Sequence, residues 1–208
     1  VLDDSEIEGT SASDLFDIEI DTVYEIGLTP NRADAMSHLG VARDLKALCM
    51  LRKIPFDWSF PETSSFHVDN IQKTIPITVE SIDKCFQYYG LTISNVEISN
   101  SPLWLQNRLK AIGINPKNNI VDITNYVMHE LGQPLHAFDA NKIHNQIIVK
   151  TFPENTAFTT LDDIERKLKD EDLIISDEKQ GHCIAGIFGG KESGISDQTT
   201  NILSLIHI

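Results

Sequence analysis

Apolar residues recur at helical spacing in three stretches of the chain. The first follows a break at Pro30-Asn31-Arg32 and contains Met36, Leu39, Ala42, Leu45, Leu48 and Cys49. A spacing of three to four residues places such side chains on one face of a helix. Asp34 is predicted to cap the start of this helix, which is expected to end near Leu51. The stretch Asn31-Arg32-Ala33-Asp34 could form a ligand-facing loop, but an ion pair between Arg32 and Asp34 at the start of the helix is the commoner explanation.

Two more helices are predicted in the middle of the chain. Ser101-Pro102 has the residue types of an N-cap followed by the first helical position, and Gly113 would end that helix. A second helix is predicted from about Asn119 to Leu131, with Gly132 as the residue that ends it.

Short β-branched or alternating stretches separated by turn residues predict strands. The predicted strands are Thr22–Leu28, Ile75–Glu80, Tyr88–Ile98, Ile147–Phe152, Ala157–Leu161, Leu173–Ser176, Cys183–Phe188 and Asn201–Ile206. A long loop is predicted from Pro55 to Thr74 because this stretch is rich in Pro, Ser and Asp. Closely spaced strands without intervening helices favour mixed or antiparallel pairing, so we expect an α+β fold with helices packed on the sheets.

Charge is unevenly distributed and bears on domain organisation. The formal net charge is -14, and residues 1 to 50 hold 11 Asp/Glu against three Lys/Arg. We therefore interpret residues 1–21 as an acidic connector from an upstream domain and residues 22–208 as a single domain. An acidic surface also argues against nucleic-acid binding, because phosphate contacts usually leave a basic footprint.

Composition excludes several classes of protein. No run of 18 apolar residues is present and no signal-peptide pattern begins the chain, so we expect a cytoplasmic protein without membrane contact. The three cysteines are odd in number and widely spaced, which favours reduced thiols over a disulfide framework or zinc site. We expect no metal in this domain.

The densest group of chemically capable residues lies between positions 122 and 139. His136 follows Gly132-Gln-Pro134, a break that would present its ring from a loop, where it could orient water or a ribose hydroxyl. The alternative is a structural histidine packed on Phe138 and bonded to Asp139. Thr124 and Asn125 could fold back beside His136 as hydroxyl and amide donors, but Thr and Asn also often bond to nearby backbone.

A second group contains Ala185-Gly186 and the pair Gly189-Gly190. Glycines let a substrate approach the backbone, and their amides can bind an anion. A simple turn at the end of a strand explains the same residues equally well. No phosphate-loop, nucleophile-elbow or zinc-hydrolase pattern is present in the sequence.

Six motifs follow one another along nearly the whole chain. They are Leu28-Thr-Pro-Asn-Arg-Ala-Asp34, Ser37-His-Leu-Gly-Val-Ala-Arg43, Ser101-Pro-Leu-Trp-Leu105, Asn119-Ile-Val-Asp-Ile-Thr-Asn-Tyr-Val-Met128, Gly132-Gln-Pro-Leu-His-Ala-Phe-Asp139 and Ala185-Gly-Ile-Phe-Gly-Gly190. Taken together and in this order, they resemble the central domain of the phenylalanyl-tRNA synthetase β subunit.

The resemblance implies a layered β/β/α editing domain that hydrolyses tyrosine from the acceptor end of tRNA(Phe). A pocket built for phenylalanine rejects one added hydroxyl only modestly, so a second site would restore fidelity. By motif, His136 and Thr124 would orient the reacting water together with the ribose hydroxyl of the substrate. The residues that would bind the substrate are Asn125, Pro134, Ala185 and Gly186.

The resemblance also implies a larger parent enzyme. That enzyme would be an α2β2 ligase that uses ATP, Mg²⁺ and phenylalanine at a distant site on its α subunit, with no cofactor in this domain. The alternative from another functional class is a non-catalytic module that positions tRNA or holds the subunits together.

Two positions depart from the family pattern. A family glutamate that reads the tyrosine hydroxyl would fall at Leu205, so we expect an impaired tyrosine site and a C-terminal tail from about residue 204 that departs from the family. Asp163 stands where the family turn has glycine, and we expect Asp to tolerate a positive φ there at some cost.

Overall fold

The computed structural model describes residues 7–15 and 21–207. The predicted connector therefore lies partly outside the described residues, and Ile208 does too. The α-helices are α1 (Ala12–Leu15), α2 (His38–Arg52), α3 (Leu103–Ala111) and α4 (Asn119–Leu131). None of the described helices is long and apolar enough to cross a lipid bilayer.

Ten strands follow one another within the described residues, most of them after α4. They are β1 (Ile77–Val79), β2 (Tyr88–Ser94), β3 (His136–Asp139), β4 (Ile147–Thr151), β5 (Ala157–Thr159), β6 (Glu165–Lys167), β7 (Leu173–Ser176), β8 (Gly181–Ile184), β9 (Phe188–Gly189) and β10 (Asn201–His207).

The strands form three sheets. The largest has the order β1-β4-β7-β8-β9, with a parallel β1–β4 pair and antiparallel neighbours elsewhere. A second sheet, β2-β10-β3, is fully antiparallel, and β5 pairs with β6 separately. The expected α+β class with mixed and antiparallel sheets is confirmed.

The main core lies between the two larger sheets. Phe138 and Leu203 from the three-stranded sheet pack with Ile147, Val149 and Ile175 from the five-stranded one. All five side chains are at most 3% exposed. Each such side chain contributes roughly 1.5–3 kcal/mol of transfer free energy when buried, so this contact fixes how the two sheets face each other.

Helices α3 and α4 are joined by one buried carboxylate. Asp122 is fully buried, and its Oδ1 accepts from the Lys117 backbone N–H at 2.8 Å. Its Oδ2 accepts from the hydroxyl of Ser101, directly before α3. Because Ser101 bonds to Asp122, it does not cap α3. The predicted Ser101 cap is therefore wrong by one residue, since the N-cap is Pro102.

The start of α2 also differs from the prediction. Its N-cap is Ser37, whose hydroxyl accepts from the Gly40 N–H at 3.0 Å. The predicted Asp34 cap is therefore wrong: Asp34 lies in a 3-10 turn before the helix and forms the ion pair with Arg32, at 2.9 Å, that the sequence favoured over a ligand-facing loop. A side chain at Gly40 would meet the Asp34 carbonyl at 2.3 Å, so this close turn requires glycine.

A buried carboxylate holds the turn between β7 and β8. Asp177 Oδ2 accepts from the rings of His144 and His182, each at 2.8 Å, and Oδ1 accepts from the Lys179 and Gln180 backbone. Burial raises the pKa of Asp177, but the backbone and histidine donors outweigh burial and hold this pKa well below its usual range. The ionised carboxylate of Asp177 therefore holds the turn between β7 and β8 in place through these hydrogen bonds.

Several strand predictions are corrected. Residues 22–28 form no strand, and most of their side chains are exposed. The predicted strand Cys183–Phe188 is two strands, β8 and β9, separated by a three-residue turn. Strands β3 and β6 were not predicted. The loop from Pro55 to Thr74 is confirmed because no helix or strand lies within it.

Asp163 has a φ of 61° in the turn between β5 and β6, so the positive φ considered from the sequence is present.

Candidate functional site

A cavity of about 430 Å³ is lined by residues from both of the larger sheets. Its bottom is made by the buried residues Cys85, Cys183, Gly189 and Leu205, and α4 contributes Met128 to one wall. Its rim is formed by exposed residues of the connection that follows α4 and of the β8–β9 turn. The cavity therefore combines an apolar interior with a mouth made of loops.

His136 stands on the wall of this cavity at the first position of β3. The expectation that a loop presents this residue is corrected, because its backbone pairs with Leu205 of β10. Its ring lies 4.3 Å from the ring of Phe138, two residues along the same strand face. The strand holds the imidazole more firmly than a loop would.

Burial lowers the pKa of His136 to about 4, so its ring is neutral at physiological pH. No hydrogen-bond partner of this ring lies among the residues that the structure describes. The bond to Asp139 considered from the sequence is absent there, because Asp139 accepts instead from Thr199 and the Asn141 backbone. A neutral ring with both nitrogens available can donate to one group and accept from another.

Ala185 and Gly186 lie on the opposite side of the cavity, in the turn between β8 and β9. Gly186 has a φ of 69°, and the Ile187 N–H closes the turn on the Ile184 carbonyl at 3.0 Å. No atom lies within 4 Å of a side chain built at Gly186. The glycine therefore serves the backbone turn and leaves the mouth of the cavity open.

Pro134 reaches the rim from the connection between α4 and β3. Helix α4 ends at Gly132, whose φ of 79° turns the chain toward the cavity, as the sequence predicted. The structure thus brings Pro134, His136, Ala185 and Gly186 together around one space.

Thr124 and Asn125 are not on the wall of this cavity. Both lie on α4, and the Thr124 hydroxyl donates to the Val121 carbonyl at 2.7 Å, three residues back along the helix. This bond is the local backbone contact considered from the sequence. Met128, one turn after Thr124, is the α4 residue that lines the cavity. Any role for Thr124 or Asn125 in chemistry would need a substrate that extends beyond the described cavity.

Sequence reasoning missed the contribution of β2. Tyr88 at the start of β2 lines the cavity, and so do Cys85 and Cys183, whereas Gly189 of β9 belongs to the glycine pair considered from the sequence. Burial raises the pKa of Cys183 to about 12, so this thiol stays protonated. Only strand pairing brings these residues together, and no local motif indicates that pairing.

Gly189 leaves room for the His136 ring, which predicts a measurable effect of adding one methyl group. A side chain at Gly189 would meet Leu161 Cδ1 at 2.8 Å and His136 Cε1 at 3.1 Å. We expect Gly189→Ala to lower the free energy of unfolding in urea by about 1–2 kcal/mol through overpacking. Gly27→Ala is the matched control, because Gly27 has no neighbour within 4 Å of an added Cβ. Equal stability of both variants would contradict the close contact.

Comparison with known proteins agrees with the resemblance. Residues 84–207 match the family model described as the B3/4 domain. The chain is 48% identical over 203 residues to a phenylalanine–tRNA ligase β subunit of Bacteroides fragilis, covering 97% of this chain and 25% of that protein. It is 42% identical over 196 residues to the Aquifex aeolicus β subunit, covering 94% of this chain and 24% of the relative. The chain therefore spans about a quarter of the length of these relatives.

The fold also resembles a solved structure, an N-terminal fragment of the phenylalanyl-tRNA synthetase β subunit from Pyrococcus horikoshii. The TM-score is 0.50 at 16% identity, and the match covers 85% of this chain and 52% of that one. At this identity the likeness concerns the fold alone. From the family model and the sequence relatives together, the chain belongs to the phenylalanine–tRNA ligase β-subunit family and carries its B3/4 domain.

Proposed function

We propose that this chain is an editing module that hydrolyses tyrosyl-tRNA(Phe). The observation that carries the proposal is the cavity between the sheets, where Pro134, His136, Ala185 and Gly186 meet although they are up to 52 residues apart in sequence. An apolar interior with few polar groups and a loop-built mouth suits an aromatic side chain attached to a larger molecule.

The proposed reaction is the attack of water on the ester carbonyl carbon. The bond from the carbonyl carbon to the ribose oxygen breaks, tyrosine leaves as a free acid, and the ribose oxygen receives a proton that the water has lost. His136 is placed to hold the attacking water or the neighbouring ribose hydroxyl. Because its ring is neutral and held by β3, its contribution is orientation more than strong acid–base catalysis.

We also propose that recognition of tyrosine is impaired in this chain. Leu205 is 1% exposed and lies at the bottom of the cavity, where the family resemblance implies a carboxylate. A leucine can bind the aromatic ring but cannot accept a hydrogen bond from its hydroxyl. Aromatic substrates should therefore enter the cavity with less discrimination than the family pattern implies.

The wider setting follows from the family and forms part of the same proposal. The chain would act within a cytoplasmic α2β2 phenylalanine–tRNA ligase, with an α subunit and tRNA(Phe) as partners. ATP and Mg²⁺ would serve the aminoacylation site of that ligase at a distance from this cavity.

A second function from another class is a non-catalytic module that positions tRNA or assembles subunits. Two observations favour it. Thr124 bonds to its own helix and lies off the cavity wall, so one of the two residues assigned to catalysis by motif is not at the site. The net charge of -14 gives the surface little attraction for RNA on its own.

Deacylation of tyrosyl-tRNA(Phe) by this chain separates the two functions. We expect native protein at micromolar concentration to release tyrosine at least about tenfold faster than spontaneous hydrolysis, equivalent to about 1.4 kcal/mol of barrier. Heat-denatured protein at the same concentration is the control. Equal rates with native and denatured protein, in samples where native protein binds the tRNA, would reject editing and favour the positioning module.

A further inference from the structure

Tyr88 shares a sheet face with His136. In the three-stranded sheet, Leu205 of β10 pairs with His136 on one side and with Gly90 on the other, and His207 pairs with Tyr88. Directly paired residues of antiparallel strands point to the same face, and so do residues two apart along one strand. Tyr88 therefore lies on the cavity side of the sheet, on the strand edge opposite to His136.

Gly90 explains how Tyr88 and Leu205 share this face. A side chain at Gly90 would meet Leu205 Cδ2 at 2.9 Å and Ile77 Cδ1 at 2.6 Å, so Leu205 occupies the space above Gly90. Tyr88 is the next residue of β2 on that face and packs against the main core. Leu205 and Tyr88 are thus diagonal neighbours at the bottom of the cavity.

The polar side chains of the cavity differ in whether they are already bonded. Lys84 Nζ donates to the Glu171 carbonyl at 2.7 Å, and the thiols of Cys85 and Cys183 contact backbone carbonyls at 3.6 and 3.3 Å. Within the described part of the chain, the Tyr88 hydroxyl and the His136 ring have no hydrogen-bond partner. These two groups are the ones left to bind a ligand.

The two available groups suit different ends of one substrate. His136 lines the cavity together with the rim residues Pro134 and Gly186, near which the ester would lie, while Tyr88 is the diagonal neighbour of the buried Leu205. Burial raises the pKa of Tyr88 far above its ordinary value, so its hydroxyl keeps its proton and can both donate and accept. A phenolic hydroxyl on the substrate would find a matching partner there.

We propose that Tyr88 is a specificity-determining residue whose hydroxyl hydrogen-bonds to the phenolic hydroxyl of the substrate side chain, in a chain where Leu205 supplies no polar contact. This inference rests on the proposed function, because it names the group that reads the substrate in the same cavity. The inference predicts that a neutral hydrogen bond to Tyr88 distinguishes tyrosine from phenylalanine. Such a bond discriminates less strongly than a bond to a buried carboxylate would.

The test compares Tyr88→Phe with Tyr89→Phe in the complete chain. Tyr89 is the adjacent residue on the opposite sheet face, is 49% exposed, and its hydroxyl bonds to Gln87 at 2.6 Å, so its variant is a matched control. The first measurement is the ratio of deacylation rates for tyrosyl-tRNA(Phe) and phenylalanyl-tRNA(Phe). We expect Tyr88→Phe to lower this ratio about fivefold, the effect of losing one neutral hydrogen bond, and Tyr89→Phe to leave it unchanged.

Binding of tyrosinamide and phenylalaninamide, followed by NMR chemical shifts, separates this inference from the proposed function. An unchanged rate ratio in an active Tyr88→Phe variant would overturn the role of Tyr88 and leave editing intact. If the wild-type chain hydrolyses neither ester, editing fails, and the binding preference decides the role of Tyr88. A preference for tyrosinamide that disappears in Tyr88→Phe supports the role, whereas a preference retained in that variant, or absent from the wild-type chain, overturns it.

Discussion

Replacing Asp122 with alanine is expected to lower the free energy of unfolding by about 3 kcal/mol, because the buried Ser101 hydroxyl and the partly buried Lys117 N–H lose their acceptor. The carboxylate is fully buried and accepts from the Ser101 hydroxyl and the Lys117 backbone N–H. Ser101 is itself only 5% exposed, so water cannot replace the lost bond without opening the contact between α3 and α4. Urea unfolding followed by far-UV circular dichroism measures the change.

Two variants make this expectation specific. Asp122→Asn keeps one acceptor oxygen, so its loss should be about half as large, and Asp83→Ala at an exposed position should change stability by less than about 0.5 kcal/mol. If Asp122→Ala and Asp83→Ala are equally stable, the buried carboxylate does not hold the two helices together. Helix α4 also carries Met128, which lines the cavity. A large loss of stability in Asp122→Ala would therefore mean that Asp122 supports the site by holding α4 in position, without taking part in the chemistry.

The same motif shows what local sequence can predict. Helix α4 spans Asn119 to Leu131, as predicted, because its start and end depend on nearby residues. The Asn118 side chain accepts from the Val121 N–H at 3.0 Å, and Gly132 takes the positive φ that ends the helix. Leu173–Ser176 was likewise predicted at its observed bounds, because its apolar run lies between clear turn residues.

The errors occur where distant contacts decide the structure. The Val23 and Ile26 side chains are 57% and 50% exposed, so the apolar pattern there did not mean a strand in a sheet. Strand β3 exists because β10, more than 60 residues later, pairs with it, and four residues alone gave no strand signal. The continuous apolar run from Cys183 to Phe188 hides a turn that Gly186 makes possible.

The candidate site was likewise predicted where local motifs define it and missed where distant strand pairing defines it. Motifs were enough to predict Pro134, His136, Ala185 and Gly186, and these four residues do share one cavity. Tyr88 could not be selected, because its place beside Leu205 depends on the register of β2 against β10. Thr124 was selected by motif, yet its hydroxyl bonds to its own helix. The sequence motifs therefore predicted which residues share the cavity better than they predicted the hydrogen-bond partner of each side chain.

Removal of the imidazole should reveal how the cavity acts on an ester. We expect His136→Ala to slow deacylation of tyrosyl-tRNA(Phe) on the order of 100-fold, because a group that holds the reacting water in place is lost. His67→Ala, in an exposed loop, is the control and should retain the wild-type rate. A loss of less than about threefold would mean that His136 only packs on Phe138.

The ratio of the wild-type deacylation rate to the His136→Ala rate, measured against pH, tests whether the His136 ring is neutral. Burial lowers the His136 pKa to about 4, so the ring is neutral throughout the range from pH 6 to 8. The wild-type to His136→Ala rate ratio should therefore stay constant over that range and fall only as pH approaches 4. The stability of the folded state should also fall as the pH falls. The unfolded chain binds the His136 proton more tightly than the folded chain does, so the folded state loses stability as pH falls from about 6.5 toward 4. A midpoint near 6.5 in the rate ratio would instead show a ring in contact with solvent and a cavity open enough to hydrate it.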